Sequence, residues 1–287
     1  MSRLERWTPW VFVLIWSSGF VVAKYAFEYS DVLFFLGVRL LIAGGILLLI
    51  TVAAGQSLKL TRSQVLISLA LGLTLQGLYL GGVWEAIANG SPAGIASVVT
   101  STQPILVSIF AFVILKERLL RNQIAGLVLG FVGVVLVLEP SFSAAGEMTL
   151  IALSLLILGL SGSTSATLIQ KKYGESLPLL AGTTYQFLFA GFILTIISLV
   201  SGRTYLEWNL QTSLAMAWAI IVTSIIAVIA LLWMLQRGSA AKVSSLLYLV
   251  PPAASLQAWA LFGEKLNAQS IIGIAMTALG VALVQRS

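Results

Sequence analysis

The chain contains itself twice, shifted by 147 residues. Laid without a gap over residues 241–285, residues 94–138 agree at 12 of 45 positions, among them Ser97/Ser244, Pro104/Pro251, Glu117/Glu264, Gly126/Gly273 and Gly133/Gly280. The same offset pairs Lys24 with Lys171, Ala43 with Ala190 and Gly44 with Gly191. Nearly all of these residues sit in long apolar runs, so the duplicated unit is a set of membrane helices. If the unit has an odd number of spans, its second copy must lie upside down relative to the first, a recurring construction in secondary transporters.

Composition leaves little room for another class. Charged residues make up 9% of the chain and hydrophobic residues 59%, against about 25% charged in ordinary soluble domains. A soluble fold of this size lacks the charge to cover its exterior, so the exterior is lipid. The chain has neither cysteine nor histidine. A disulfide framework and thiolate metal sites are thereby excluded, and the commonest general base and metal ligand is missing. No HExxH motif and no paired intramembrane aspartates occur, and a Ser–Lys hydrolase would lack a lysine near midspan. An enzyme is therefore not expected, nor a cofactor. The net charge of +6 reflects loop asymmetry rather than a nucleic-acid surface.

Apolar segments long enough to cross the hydrocarbon layer, about 20 residues each, fall at roughly 8–27, 32–54, 64–86, 91–115, 121–139, 149–171, 178–201, 211–235, 240–262 and 268–286. The expected fold is an all-α membrane protein of ten transmembrane helices, arranged as two inverted five-helix repeats. Repeat 1 covers residues 1–139 and repeat 2 covers 149–287, joined by a linker at 140–148. With the N-terminus in the cytoplasm, 12 basic residues fall inside and 3 outside, and Arg39 lies within a span. This bias places both ends in the cytoplasm. The Glu117 turn then faces inward while its twin, Glu264-Lys265, faces outward. Between the two, Arg121 has become Ala268 and Lys116 has become Gly263.

Each half closes with a proline-bearing helix, a Glu-Arg-Leu or Glu-Lys-Leu turn and a Gly-rich helix: QPILVSIFAFVILKERLLRNQIAGLVLGFVGVVLVL, then VPPAASLQAWALFGEKLNAQSIIGIAMTALGVALV. Together with the opening WSSGFVVAKYA and the segment GVRLLIAGG, this order resembles the EamA module, doubled along almost the whole chain. In the second half the tryptophan and arginine positions are Ser163 and Gln186. The resemblance implies the drug/metabolite transporter superfamily, whose ten-span members are mostly bacterial inner-membrane exporters of amino acids and other small metabolites. It also implies a central cavity walled by the first four helices of each half, with the fifth and tenth helices packed together as support. The expected partners are a small-molecule substrate and the bilayer.

Arg39 is the most conspicuous candidate for the substrate site. It lies about 12 Å below the outer end of the second span, at 1.5 Å per residue. An intramembrane arginine costs at least ~2.5 kcal/mol even on the mild insertion scale, so it must face a wet cavity or a partner. Its guanidinium either holds a substrate carboxylate in bidentate fashion or pairs with Glu85 or Glu28. Lys24 adds positive potential on the side where basic residues are scarce. Polar and aromatic residues within spans complete the candidate substrate set: Trp16, Gln76, Tyr79, Trp84, Glu85, Gln103, Thr164, Tyr185, Gln186, Trp233 and Tyr248. Gln76 and Tyr79 share one face of their helix, as do Thr183 and Gln186. For each, hydrogen bonding between helices is the competing reading.

Ser97, Ser101, Pro104 and Ser108 form a stripe on the fourth helix, and Ser244, Tyr248, Pro251, Pro252 and Ser255 run along the ninth. Pro104, Pro251 and Pro252 are expected as hinges, because proline removes an internal hydrogen bond and kinks a helix. Gly126, Gly130, Gly133, Gly273 and Gly280 allow close backbone approach, within the chain or across a homodimer. Trp7, Trp10 and Trp208 read as interfacial anchors. The rival readings are efflux of drugs or lipophilic cations, carriage of nucleosides or other metabolites, and a passive channel. A cation exporter would need a carboxylate near midspan, and none is there.

Overall fold

A computed structural model describes residues 3–91, 93–143, 149–262 and 267–286. The chain runs as helical rods joined by short turns: α1 (Arg3–Phe27), α2 (Val32–Ala53), α3 (Arg62–Ala88), α4 (93–114), α5 (Arg121–Ser143), α6 (Leu150–Tyr173), α7 (Leu179–Val200), α8 (Leu210–Arg237), α9 (240–262) and α10 (Ala268–Arg286). Among the described residues the extended pairing is one isolated antiparallel bridge, Ser30 to Leu206. Among the described residues eight helices are long and apolar enough to cross a bilayer, namely α2 to α8 and α10. The Glu264-Lys265 turn lies outside the described residues.

The fold is turned inside out relative to a soluble bundle. Its exterior carries Leu49, Val113, Val200 and Leu210 exposed, while Gln76, Gln103, Gln170 and Gln186 are buried. Lipid makes no hydrogen bonds, so polar side chains must find partners or water between the helices.

Two close antiparallel pairs form the frame. A Cβ at Gly44 on α2 would stand 2.8 Å from the Leu188 side chain on α7, and one at Gly191 would meet Leu41 N at 2.8 Å. On the other pair, Gly126 and Gly280 face each other so closely that a Cβ on Gly126 would lie 2.5 Å from the Gly280 carbonyl, and Gly133 and Gly273 repeat the contact. Small residues let the backbones approach because packing, not burial, drives association in lipid. The expected packing of the fifth rod on the tenth is therefore present, within a single chain.

Four rods are irregular. A π-helical stretch, Gly72–Gly81, interrupts α3, and another, Ala219–Ile226, interrupts α8. Rod α4 breaks at Thr102, between Ala93–Ser101 and Gln103–Ile114. In α9 a 3-10 turn, Leu246–Leu249, precedes Pro251 and Pro252. Rod α5 continues through Pro140 to Ser143, past the expected linker boundary at 140.

Candidate functional site

The two π-helical stretches face a cavity of about 80 Å³ between α1, α2, α3, α4 and α8. At roughly 10–15 Å³ per water position, that is room for several waters or a small solute. Trp16, Tyr79 and Trp84 supply aromatic wall, Arg39, Gln76, Ser97, Thr100 and Thr223 supply polar groups, and Leu75, Val83, Ile87 and Val228 supply the rest. A smaller recess beside it, about 30 Å³, shares Trp16, Tyr79, Ser97 and Thr100 and extends to Gln103, Leu247 and Pro251. Among the described residues no group of His, Cys, Asp and Glu is placed to hold a metal ion.

Arg39 is buried, at 4% exposure. Its Nε donates to Ser224 Oγ at 2.7 Å and an NH2 nitrogen donates to Thr223 Oγ1 at 2.8 Å. The guanidinium carbon lies 6.0 Å from the Trp84 ring centre. Both hydroxyls belong to the π-helical stretch of α8, and such turns are frequent at functional sites. Among the described residues no carboxylate lies within 4.0 Å of Arg39. Its positive charge therefore meets neutral hydroxyls and an aromatic face, and leaves donor capacity for an anion.

The expected ion pair of Arg39 with Glu85 or Glu28 is not formed. Glu85 is held instead by Arg203, whose NH1 and NH2 nitrogens donate to its two carboxylate oxygens at 2.9 and 2.8 Å. A bidentate match to a planar carboxylate outcompetes a more distant guanidinium. Arg203 also approaches Asp31, Nε to Oδ1, at 3.8 Å. The Glu85 hydrogen bonds lead in raising its pKa above the ordinary arginine value. This network ties the end of α3 to the α7–α8 connection, which also bonds Asp31 through Tyr205.

Gln76 lies on the cavity wall, buried, and its Nε2 has no hydrogen-bond partner among the described residues. Trp16 and Tyr79 line the cavity and the adjoining recess together. Gln103 bridges the α4 break to α6, its Nε2 donating to the Ser163 carbonyl at 3.2 Å and Thr167 Oγ1 at 3.1 Å. Side-chain contacts of Lys24 lie outside what the structure describes.

Five other expected residues stand away from both hollows. Tyr248 is fully buried against Gly130, its ring 2.9 Å from where a Cβ there would lie. Trp233 stacks under Arg237 at 4.4 Å. The Tyr185 hydroxyl donates to the Leu58 carbonyl, Thr164 bonds back to Leu160 on its own helix, and the main chain of Gln186 packs against Gly72. In each case the rotation of the helix, which residue type does not reveal, keeps the residue off the walls of the two hollows. The serine stripe on α4 is likewise divided by the Thr102 break. Ser97 reaches the cavity, while Ser108 bonds back to the Pro104 carbonyl at 2.7 Å. Thr223, Ser224 and Arg203 were not singled out from sequence. A usable signal existed for the first, since Thr223 lies 147 positions beyond Gln76.

The sequence profile of the EamA-like transporter family matches the chain twice, at residues 10–139 and 149–286. The chain is 28% identical over 285 residues to a Bacillus subtilis protein described as the uncharacterized transporter YvbV, covering 95% of this chain and 88% of that one. It is 25% identical over 296 residues to a Salmonella typhimurium protein named "Probable amino-acid metabolite efflux pump", covering 98% and 94%. Against an S-adenosylmethionine/S-adenosylhomocysteine transporter of Chlamydia trachomatis the identity is 26% over 285 residues, covering 94% and 85%. A solved crystal structure superposes with a TM-score of 0.83 at 16% identity, covering 97% of this chain and 95% of the other, which establishes a shared fold. With two family matches over most of its length and a bundle of apolar helices around a largely apolar cavity that holds Arg39, the chain belongs to the EamA-like transporter family.

Proposed function

We propose that this transporter exports small metabolites, amino acids foremost, by alternating access through the Arg39 cavity, with ten spans arranged as two inverted repeats. The observation that carries the substrate class is Arg39 itself: a buried cation held by hydroxyls, without a carboxylate, beside an unpartnered Gln76 amide. A substrate carboxylate would receive charge-assisted hydrogen bonds from that pair. Trp16, Tyr79 and Trp84 would cover the apolar part of the solute. Amino acids and S-adenosylmethionine, named for two of the relatives, share an α-amino carboxylate, which agrees with this chemistry.

The inverted-repeat reading is supported by the reciprocity of the contacts. Gly44 meets Leu188 while Gly191 meets Leu41, and Gly126 meets Gly280 while Gly273 meets Gly133. Each pair of contacts interchanges when 147 is added to one partner and taken from the other. The π-helical stretches begin 147 residues apart as well, at Gly72 and Ala219. Two-fold-related halves supply two end states of similar energy, the requirement for alternating access. The basic-residue bias supports both termini on the cytoplasmic side of the inner membrane, with the Glu85–Arg203 end outside.

The test is counterflow in proteoliposomes, using labelled amino acids, nucleosides and quaternary amines with and without a proton gradient. Saturable exchange of an amino acid that fails in Arg39→Gln is the expected result. Ohmic current without exchange would make the protein a channel. Exchange confined to quaternary amines would remove the carboxylate role. Because the chain lacks cysteine, Glu117→Cys and Glu264→Cys can be labelled in intact cells without background. Labelling of both from one face would overturn the inverted arrangement.

A further inference from the structure

At the other end of the bundle from Glu85 and Arg203 lies a second hollow, of about 340 Å³. Arg118 from the α4–α5 turn, Lys171 from the last turn of α6 and Arg237 from the end of α8 line it, with Glu117, Gln123 and Ser239 completing the wall. Among the described residues none of the three cations forms an ion pair within 4.0 Å.

The acceptors on the wall are engaged by backbone. Glu117 Oε1 accepts from Ala240 N at 3.3 Å, Gln123 Oε1 from Leu120 N at 3.0 Å, and Ser239 Oγ from Lys242 N at 3.2 Å. Lys116, at φ 56, occupies the left-handed region as the chain enters the turn that carries Glu117 and Arg118. Arg237 is steadied by the Trp233 ring beneath it at 4.4 Å.

Topology alone asks for cations at this end of the helices. It does not ask three of them, from separate elements, to share one hollow with a single carboxylate. Like charges on a concave wall repel one another and concentrate a positive field in the space between them. One oxyanion accepting from two guanidinium groups and an ammonium relieves that repulsion with charge-assisted bonds.

We propose that this basin binds an oxyanion of the phosphate type, supplied either as the headgroup of an anionic lipid in the adjacent leaflet or as a free ion. The site is separate from the Arg39 cavity, and its fate does not depend on what that cavity carries.

The experiment follows thermal unfolding of the full chain in nanodiscs by tryptophan fluorescence. In one arm the discs contain only phosphatidylcholine, and inorganic phosphate is titrated against chloride at constant ionic strength. In the other, phosphatidylglycerol replaces part of the lipid and phosphate is omitted. Variants Arg237→Gln and Lys171→Gln are compared with wild type and with Lys59→Gln, an exposed cation outside the hollow. A rise in midpoint with free phosphate that persists in Lys59→Gln and is lost in the two basin variants supports a free-ion site. The same variant pattern with phosphatidylglycerol alone supports a headgroup site. Equal shifts in all variants, or no shift in either arm, would show a solvated basic rim and overturn the proposal. Should Arg237→Gln fail to fold, Lys171→Gln reads the same question.

Discussion

Arg39 Nε on α2 donates to Ser224 Oγ on α8 across 2.7 Å, joining the second rod to the π-helical stretch of the eighth at the cavity wall. A hydrogen bond to a charged group is worth about 1.5–3 kcal/mol. If the same guanidinium also holds substrate, removing it costs both the helix tie and the anion contact.

Arg39→Gln should therefore lower the apparent second-order rate of amino-acid exchange by roughly 10- to 100-fold, while monodisperse protein is still recovered from detergent. Gln is the residue at the matching position of the second half, Gln186, where the fold accepts it buried. Arg39→Lys should not restore exchange, because an ammonium lacks the planar fork that reaches two acceptors together. Initial rates in proteoliposomes check both. Wild-type rates in Arg39→Gln would leave Arg39 a structural tie.

Arg203 and Glu85 form the bidentate pair that closes the opposite face of α3. Glu85 is 9% exposed at the side chain and Arg203 is 40% exposed, so solvent screens the pair on one side only. Arg203→Gln strands a buried carboxylate and should cost about 1–3 kcal/mol, less than the 3–5 kcal/mol of a fully buried pair because of that screening. Glu85→Gln combined with Arg203→Gln should recover most of the loss. Unfolding midpoints of the four-member cycle measure the coupling. An additive double variant would show that the pair contributes nothing.

Gly126→Ala sets a methyl 2.5 Å from the Gly280 carbonyl oxygen, a backbone atom that cannot swing aside. The α5–α10 contact must open, and overpacking of this kind costs about 1–3 kcal/mol. Gly45→Ala, on α2 with nothing within 4 Å of the added carbon, should be neutral or slightly stabilising, since alanine favours helix. Thermal midpoints should separate the two variants clearly. Equal midpoints would mean that the α5–α10 seam is looser than its spacing.

How far this site could be read beforehand depends on the kind of residue. Arg39, Gln76, Tyr79, Trp16 and Trp84 were legible because a cation, an amide or a polar aromatic ring inside an apolar run needs a partner or water. Thr223 and Ser224 were not, since a hydroxyl in a membrane helix can satisfy itself on its own backbone, as Thr223 does with Ala219. Tyr248 and Trp233 satisfied the same criterion as Tyr79 yet face packing seams. Their direction depends on helix rotation, and π-helical and 3-10 turns shift that phase in ways composition does not encode. The Glu85–Arg203 pair joins residues 118 positions apart, and no local pattern signals it. The rods themselves were well marked, by apolar length and by the doubled order of motifs.

The remaining prediction concerns how the cavity changes state. Rod α4 breaks at Thr102, whose hydroxyl bonds back to the Val99 carbonyl at 2.7 Å, and Pro104 follows two residues later. Rod α9 narrows to a 3-10 turn over Leu246–Leu249, and Pro251 follows two residues later. Position 249 is the 147-residue counterpart of 102, and Pro251 that of Pro104. Each proline withholds the amide that would have bonded one turn back, at Thr100 in one half and Leu247 in the other, and both of those residues line the recess beside Arg39. A local break there costs little to flex, whereas a continuous helix would have to bend as a rod. Pro104→Ala and Pro251→Ala, singly and with Pro252→Ala, restore the missing donors and should slow exchange by about 3- to 10-fold where a conformational step limits turnover. Substrate affinity should change little, because no cavity-lining polar group is lost. Rates equal to wild type in the combined variant, with normal expression and folding, would remove these prolines from the transport cycle.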